Sequence, residues 1–179
     1  YPYAYSEITG YGISTLLFLY KITKEDILLE RAKMAADWLM NKAQHKSGGI
    51  LTRYFYGKVN FMGSFDSEEI FSFDCGMVLN GMTNLVKVTK DDKYLSFCKR
   101  LADFIIDKMQ KKDGSFYAVY DAKNNKLIDD GEKWSTQSGA LHVKHNIGFI
   151  NLYEITKNEK YLIAAKKVAK FKAGADLAA

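Results

Sequence analysis

A repeat of 66 to 67 residues runs through this chain of 179 residues and constrains its fold more than any single motif. Each copy has an apolar stretch, then a short turn that begins with Thr-Lys, then an amphipathic stretch. Leu19, Leu85 and Leu152 occupy equivalent positions in the three copies, 66 and 67 residues apart. A unit of this size buries its apolar surface only against its neighbours, so the repeat predicts a stacked array of similar units.

The residue pattern within each copy predicts a helical hairpin. The first helix is apolar, and we expect these helices over about Gly10 to Lys21, Cys75 to Val88 and His142 to Ile155. The second helix is amphipathic and follows a T-K-E-D, T-K-D-D or T-K-N-E turn, in which a Thr or Asp side chain can cap it. It ends near Gln44 or Gln110, where S-G-G or D-G-S supplies a glycine for a left-handed C-terminal residue.

Two long connections, over residues 46–73 and 111–135, join successive hairpins. Short strands are expected within them at Leu51 to Tyr56 and at Ser115 to Tyr120, the second followed by a K-N-N-K turn. Because the turn inside each hairpin is short, all the long connections leave from the end of the helical layer where the first helices begin. Functional residues concentrate on such an end.

Composition excludes several classes of protein. The chain is 47% hydrophobic and 26% charged, with a net charge of +5 spread over outer helix faces, which predicts a globular protein without a nucleic-acid groove. No apolar run approaches the roughly 18 residues of a membrane span. Cys75 and Cys98 make no disulfide framework, and Cys98 is expected to be a small core residue. Without such a framework or a signal-like start, a cytoplasmic location is favoured.

Four motifs carry a resemblance to a known superfamily. They are T-G-Y-G-I-S-T-L-L-F-L-Y from Thr9, F-D-C-G-M-V-L-N-G from Phe73, W-S-T-Q-S-G-A-L-H from Trp134, and Q-K-K-D-G-S-F from Gln110. With these motifs the chain resembles the (α/α)-toroid, or six-hairpin glycosidase-like, superfamily, which includes unsaturated glucuronyl hydrolases, sugar epimerases and other uronate-processing enzymes. The resemblance implies an all-α fold of repeated antiparallel helical hairpins, with short β-hairpins in the long inter-hairpin loops.

The length implies about three of the usual six hairpins. We expect a single domain, 1–179, with hairpin repeats at about residues 8–50, 74–116 and 140–173, whereas a closed toroid needs on the order of 400 residues. Either a larger protein has been cut, or the chain is an open half-toroid that associates through its apolar edges. Terpene cyclases have a similar Gln…Asp-Gly-aromatic element but require a D-x-D-D or D-D-x-x-D cluster, which this sequence lacks.

The resemblance places the beginnings of the first helices around the mouth of a central cavity. The polar and aromatic residues near these beginnings are expected to converge on one rim: Tyr3, Tyr5, Glu7, Asp66, Glu68, Glu69, Ser72, Asp74, Trp134, Ser135, Gln137, Ser138 and His142. Helix N-termini that point to this rim would favour an anionic group such as a uronate carboxylate.

Asp74 and Glu7 are the candidate catalytic residues. Asp74 lies in F-D-C-G, which resembles the F-D-[ST]-G element of related toroids, and an apolar site could hold its carboxyl protonated as a general acid. Glu7 could be the second carboxylate that glycoside hydrolysis requires on the other side of a sugar. The alternative for both is structural, because carboxylates at helix starts also cap backbone N–H groups. For Asp74 the two roles are compatible.

Six residues are candidates for substrate binding: Tyr3, Tyr5, Trp134, Gln137, His142 and Lys144. The rings of Tyr5 and Trp134 can stack on a sugar, although an aromatic residue near a loop end also serves as a lid on the core. His142 is expected to hydrogen-bond a ligand, whereas His145 is expected to be packed inside. Because no further His or Cys cluster accompanies them, neither a metal site nor a cofactor is predicted.

Two functional hypotheses remain. The first is a carbohydrate-active protein, a glycoside hydrolase- or epimerase-like enzyme or a fragment of one, that acts on uronate-containing or other surface polysaccharides by acid/base chemistry. The second is a non-catalytic helical module that binds glycans or assembles with a partner, since half a toroid lacks half of a cavity rim. The expected partners are a carbohydrate ligand and either a second copy or the remainder of a larger toroid, with no nucleic acid or membrane.

Overall fold

The computed structural model describes residues 3–56, 68–129, 131 and 139–176. Its helices form three antiparallel hairpins: α1 (Ser6–Thr23) with α2 (Asp26–Trp38), α3 (Ser72–Thr89) with α4 (Asp92–Phe104), and α5 (His145–Thr156) with α6 (Glu159–Asp176). The predicted order of hairpins is confirmed. The boundaries differ, because α1 and α3 begin before Gly10 and Cys75, whereas a 3₁₀ turn over Ala140–Lys144 precedes α5.

The helices form two layers. The inner layer consists of α1, α3 and α5 side by side, and α2, α4 and α6 each pack on the inner helix of their own hairpin. The middle helix α3 is buried along most of its length. The predicted stripes on the outer helices supply core residues such as Ala32, Ala36 and Leu101, and Cys98 is fully buried among them as expected.

Two glycines allow the inner helices α1 and α3 to approach closely. A Cβ atom built on Gly81 would lie 2.5 Å from the carbonyl oxygen of Gly10, and one built on Gly10 would lie 2.9 Å from the carbonyl oxygen of Met77. These are backbone atoms that cannot swing aside. The contact between the first two hairpins therefore depends on the absence of side chains at these two positions.

The turns inside the hairpins are alike, and each begins with a lysine in the left-handed conformation: Lys24, Lys90 and Lys157. The predicted Asp cap is found in the second copy, where Asp91 Oδ1 accepts a hydrogen bond of 2.9 Å from the Lys93 N–H. In the third copy Asn158 Oδ1 accepts the equivalent bond from the Lys160 N–H at 3.0 Å. The first copy has Glu25 at the N-cap position, and its side chain makes no cap hydrogen bond.

The outer helices of the first two hairpins end in the same way. Each closes with a π-helical turn, Leu39–Ala43 or Ile105–Met109, before Gln44 or Gln110. The chain then reverses at Gly48 and Gly114, with φ of 97° and 96°. The predicted glycine breaks are confirmed, since these φ angles lie in the region that favours glycine.

Among the described residues, five short strands form two antiparallel sheets. One sheet pairs β1 (Tyr3–Tyr5) with β2 (Arg53–Phe55), and the other has the order β3 (Glu69–Phe71), β4 (Val119–Asp121), β5 (Lys126–Ile128). The β4–β5 pair is a β-hairpin in the second long connection, as expected. The β2 strand was also expected, but its partner β1 precedes α1 and was not predicted. In the part of the chain that the structure describes, no helix is long and apolar enough to cross a membrane.

Candidate functional site

The strands place a set of polar side chains at the N-terminal ends of α1 and α3. β1 ends at Tyr5, directly before α1, and β3 ends at Phe71, directly before α3. Thr52 joins these two helix starts. Its carbonyl accepts a hydrogen bond from the Ser6 N–H at 3.1 Å, its N–H donates to the Glu69 carbonyl at 2.9 Å, and its hydroxyl accepts from the Phe71 N–H at 2.9 Å.

Asp74 lies beside this junction, in the first turn of α3. The interpretation of Asp74 as an N-cap is wrong, because Phe71 occupies the N-cap position and Asp74 is the third residue of the helix. Its side chain is only 2% exposed. Its carboxyl is hydrogen-bonded to the Thr52 hydroxyl, whereas its Oδ2 atom has no hydrogen-bond partner among the described residues.

Burial is the main reason that Asp74 holds its proton. The pKa of the Asp74 carboxyl is raised to about 8, chiefly by the loss of hydration and in addition by the negative charge of Glu7. The Thr52 hydrogen bond and the positive charge of Arg53 oppose this rise. At neutral pH the side chain is therefore mainly a neutral carboxylic acid, as the apolar flanking sequence predicts.

Glu7 is the second carboxyl of the site and lies in the first turn of α1. The alternative interpretation of Glu7 as a helix cap is also wrong. Tyr5 occupies the N-cap position of α1, and the Glu7 carboxyl is hydrogen-bonded to Tyr11. Partial burial raises the pKa of Glu7, while the Tyr11 hydrogen bond and the charge of Lys144 lower it. The negative charge of Glu7 also raises the pKa of the Asp74 carboxyl.

Aromatic rings flank the carboxyls on the β1–β2 sheet. The Tyr3 ring centroid lies 6.4 Å from that of Tyr5 and 5.7 Å from that of Phe55. The Arg53 guanidinium lies over the Tyr5 ring, 5.6 Å from its centroid. Tyr3 is half exposed, so this cluster presents an aromatic surface edged by a cation next to the two carboxyls.

Lys144 brings the third hairpin into the site. It lies in the 3₁₀ turn before α5, and its Nζ atom is 5.3 Å from the centroid of the Phe73 ring. Its charge also acts on the Glu7 carboxyl. Each of the three helix starts thus contributes one ionisable residue to the predicted rim: Glu7, Asp74 and Lys144.

The two histidines occupy a more enclosed position. His145 is fully buried as expected, with Nδ1 2.6 Å from the His142 carbonyl and Nε2 3.0 Å from the Ser72 hydroxyl. Nε2 also lies 2.8 Å from the Ser72 carbonyl, so each ring nitrogen faces a carbonyl acceptor. These hydrogen bonds raise the pKa of His145, but burial has the larger effect and lowers it to about 4. His142 is 3% exposed, and its ring packs against Phe116 and His145. Its predicted hydrogen bond to a ligand stays a prediction.

Several predicted rim residues lie outside the described part of the chain. They are Asp66, Trp134, Ser135, Gln137 and Ser138. The roles predicted for Trp134 and Gln137 in substrate binding therefore stay predictions. Among the described residues, no group of three or more His, Cys, Asp and Glu side chains is placed to hold a metal ion.

Sequence reasoning missed three residues of the site: Thr52, Arg53 and Tyr11. Thr52 and Arg53 belong to the run that was predicted as a strand, but nothing in that run indicates which residue faces Asp74. The placement of Thr52 depends on its hydrogen bonds to the backbone of Ser6, Glu69 and Phe71. Tyr11 lies four residues after Glu7 on α1, a spacing that puts the two side chains on one helix face and could have indicated their contact.

Comparison with known proteins decides the family. The model of a protein family described as Glycosyl Hydrolase Family 88 matches residues 51–175, more than half of the chain. The chain belongs to glycosyl hydrolase family 88. A search of curated protein sequences found no significant match.

Solved structures confirm the fold of this family 88 chain. It superimposes on a family 76 α-mannanase of Bacteroides thetaiotaomicron with a TM-score of 0.78 and 19% identity, over 97% of this chain and 45% of the mannanase. A sugar epimerase from a ruminal bacterium gives a TM-score of 0.76 with 17% identity, over 92% and 42% of the two chains. Cellobiose 2-epimerase from Spirochaeta thermophila gives 0.75 with 14% identity, over 93% and 42%.

The predicted resemblance to the six-hairpin glycosidase-like superfamily is therefore confirmed. The chain is a partial (α/α) toroid that spans about 45% of the length of the mannanase. At these identities the superpositions establish the fold alone. The chemical capacity of the site has to be argued from its own residues.

Proposed function

We propose that this family 88 chain forms part of the active site of a carbohydrate-active enzyme, a glycoside hydrolase or an epimerase, that acts on uronate-containing or other surface polysaccharides. The main support is the Asp74 carboxyl, which is buried, has a pKa of about 8, and has one oxygen without a partner among the described residues. A carboxylic acid that is neutral at pH 7 can protonate a glycosidic oxygen as a general acid.

Glu7 is the proposed partner of Asp74 in acid/base chemistry. It is half buried and so retains contact with water, whereas Asp74 is almost completely enclosed. Because Asp74 is the more deeply buried of the two, it holds its proton to the higher pH. Two carboxyls in unlike environments beside one sugar are the arrangement that glycoside hydrolysis requires.

The proposed substrate contacts surround this pair. Tyr3 and Tyr5 offer ring faces to a sugar, and Lys144 offers a positive charge to a uronate carboxylate. The N-termini of α1 and α3 add to the positive potential there. Trp134, Gln137 and His142 complete the proposed set, although the first two lie outside the described residues.

Turnover of defined glycans tests this proposal. The full chain would be incubated with uronate-containing oligosaccharides and with neutral oligosaccharides of the same length, and products would be separated by chromatography and identified by mass spectrometry. We expect conversion of the uronate series and, for Asp74→Asn, a loss of turnover of about 10²- to 10⁴-fold. Glu7→Gln should give a loss of similar order.

Asp26→Asn is the matched control, because Asp26 is an exposed carboxylate in the first turn of α2. It should leave turnover unchanged. Unchanged turnover in a folded Asp74→Asn variant would remove Asp74 from the mechanism. A failure of the wild-type chain to convert or bind any of these glycans would contradict the enzymatic proposal for this chain.

A non-catalytic glycan-binding or assembly module is the second candidate. It is favoured by the share of the mannanase that the chain covers, 45%, since the other half of that toroid has no counterpart here. Saturable binding of uronate oligosaccharides without conversion, weakened by Tyr3→Ala but not by Asp74→Asn, would support this module over the enzyme.

A further inference from the structure

A groove of about 500 Å³ lies beside the outer helix α4 and shares no residue with the site around Asp74. One wall is the turn over residues 46–48, which follows the first hairpin. The other wall is the last part of α4 with its π-helical turn, and Tyr120 of β4 also lines the groove. We call it the outer groove. Its volume lies in the range of pockets that hold small ligands.

Contacts between the two walls hold the outer groove in shape. A Cβ atom built on Gly48 would lie 3.1 Å from the Arg100 carbonyl oxygen and 3.3 Å from the Phe104 Cβ atom. The Gln44 side chain joins the same walls. Its Oε1 atom accepts a hydrogen bond of 2.9 Å from the Arg100 guanidinium, and its Nε2 atom donates to the Gly48 carbonyl at 3.3 Å. The groove is therefore formed before a ligand binds, which lowers the free-energy cost of binding.

Three basic side chains line the outer groove. Arg100 and Lys46 are exposed, and Lys108 is half-buried. Among the described residues, the Arg100 guanidinium uses one of its five N–H groups, in the bond to Gln44. The Lys108 ammonium donates to Asn125 Oδ1 at 3.0 Å and has three N–H groups. Both cations therefore keep donors for a ligand.

Two carboxylates lie beside these cations. Lys160 Nζ of α6 lies 2.7 Å from Asp103 Oδ1 and 2.9 Å from Asp107 Oδ2, so one ammonium compensates part of both charges. The two carboxylate side chains stay 45% and 64% exposed, so they can also accept hydrogen bonds from a ligand. Three lining cations and two carboxylates that share Lys160 leave the outer groove with a net positive charge.

Two aromatic rings form the apolar part of the outer groove. The ring centroids of Phe104 and Tyr120 lie 5.6 Å apart, and the residues are 5% and 6% exposed. The Tyr120 hydroxyl donates to Asn125 Oδ1 at 2.9 Å, and Lys108 Nζ lies 5.1 Å from the centroid of the Tyr120 ring. Exposed ring edges of this size suit contact with the C–H groups of a sugar and not the burial of a large apolar ligand.

The mixture of charges selects the class of ligand. A nucleic acid carries a phosphate on every unit and would bring negative charge against Asp103 and Asp107. A sugar hydroxyl both donates and accepts, so neighbouring hydroxyls can bond a carboxylate and a cation side by side. A sugar carboxylate can pair with the Arg100 guanidinium through two parallel hydrogen bonds. The lining therefore favours a sugar that carries a negative charge.

We propose that the outer groove is a second carbohydrate-binding site, which holds a uronate residue of an acidic polysaccharide outside the active site. Arg100 and Lys46 bind the sugar carboxylate, and Asp103 and Asp107 accept hydrogen bonds from its hydroxyls. The choice of a uronate among anionic sugars rests on the proposed function, whereas the charge and shape of the groove do not. A second binding site raises the effective concentration of a long polysaccharide at the first.

An NMR titration of the Asp74→Asn chain tests the outer groove without turnover. The probes are glucuronic acid, glucose and inorganic phosphate, followed by ¹H–¹⁵N spectra at one pH and ionic strength. We expect glucuronic acid to shift the amide signals of Ser47 and Gly48 saturably, and glucose and phosphate to bind there at least about tenfold more weakly. Phosphate that binds as tightly as glucuronic acid would overturn the proposal, because it would show a general anion site.

Substitutions in the Asp74→Asn chain identify the contacts. Arg100→Gln should weaken the binding of glucuronic acid about tenfold. Lys46→Gln leaves the bond between Arg100 and Gln44 intact and should weaken binding about threefold or more. Lys99→Gln is the matched control, because Lys99 is an exposed cation of α4 outside the groove lining, and it should leave binding unchanged. Circular dichroism checks that each variant is folded. Equal binding by all three variants would overturn the proposal.

The positions of the shifted signals separate this proposal from the proposed function. Shifts around Glu7 with none at Ser47 and Gly48 would overturn the outer groove as a binding site and leave the proposed active site intact. Saturable shifts at Ser47 and Gly48, in a protein whose wild-type chain converts no glycan, would support the outer groove and contradict the proposed reaction.

Discussion

At the scale of single residues, burial gives the Asp74 carboxyl a strongly raised pKa. Its folded pKa, about 8, lies above its unfolded value near 3.8. Its contribution to stability is therefore fully present below about pH 4 and is lost as the pH rises through about 8. At pH 7 the folded chain keeps this carboxyl protonated whereas the unfolded chain ionises it, so the group costs the protein stability at neutral pH.

Asp74→Asn should consequently stabilise the chain at neutral pH. The amide occupies the same volume without a charge, so we expect a gain on the order of 2–4 kcal/mol at pH 7 that shrinks towards pH 4. Urea unfolding at a series of pH values measures it. Asp26→Asn should change the free energy of unfolding by less than about 0.5 kcal/mol. A destabilised Asp74→Asn variant at pH 7 would contradict the burial of an uncompensated carboxyl.

The histidines titrate in the opposite direction. Burial lowers the pKa of His142 to about 3 and that of His145 to about 4. The unfolded chain binds more protons below pH 6.5, so the stability that these neutral rings confer is present above pH 6.5 and is lost as the pH falls towards 4.

His142→Gln should therefore flatten the dependence of stability on pH. Between pH 6.5 and 4.5 we expect the variant to lose about 2 kcal/mol less than the wild type. His45→Gln provides the comparison, because His45 is only partly buried and should have a smaller effect. Equal slopes for wild type and His142→Gln would show that this ring is accessible to protons in the folded chain.

At the scale of elements, a glycine of α3 and a glycine of α1 should respond in opposite ways to substitution by alanine. Gly81 faces the Gly10 backbone, whereas a Cβ built on Gly12 meets no atom within 4 Å. Gly81→Ala should destabilise the chain by about 1–3 kcal/mol through overpacking, and Gly12→Ala should stabilise it by about 0.5–1 kcal/mol by favouring the helix. Thermal unfolding separates the two, and a neutral Gly81→Ala would show that the helices can move apart freely.

The helices were predictable because several independent sequence features indicate each of them. The periodic apolar residues, the Thr-Lys turns and the terminal glycines recur in register, so three copies support one interpretation. The strands were harder. β2 and β4 lie in runs that were predicted as strands, whereas β1 and β3 lie outside those runs and are specified by their pairing with β2 and β4. Because hydrogen bonds to Ser6, Glu69 and Phe71, distant in sequence, position Thr52, the polar partner of the candidate acid was not predictable.

The capping interpretation of the carboxyls failed for a related reason. A residue that appears to precede a helix can lie inside its first turn, since α3 begins at Ser72 and not at Cys75. A shift of three residues turns Asp74 from the expected cap into the third residue of the helix. Boundaries of this kind depend on tertiary pairing that a single sequence does not reveal.

At the scale of the whole molecule, one repeat sets both the core and the site. The same register that stacks the hairpins also places Glu7, Asp74 and Lys144 at successive helix starts. The fold was predictable from this register, and membership of family 88 agrees with it. The positions of Trp134 and Gln137 relative to this group are not described, so their part in the site stays a prediction.

The central claim is that this rim holds a carboxylic acid in its neutral form at physiological pH. A ¹³C NMR titration of the Asp74 side-chain carboxyl tests it most directly, with Asp74→Asn used to assign the signal. We expect an Asp74 pKa of about 8, and a lower value in Glu7→Gln, because the Glu7 charge raises it. A pKa near 4 in the folded wild-type chain would show instead that Asp74 is ionised at physiological pH.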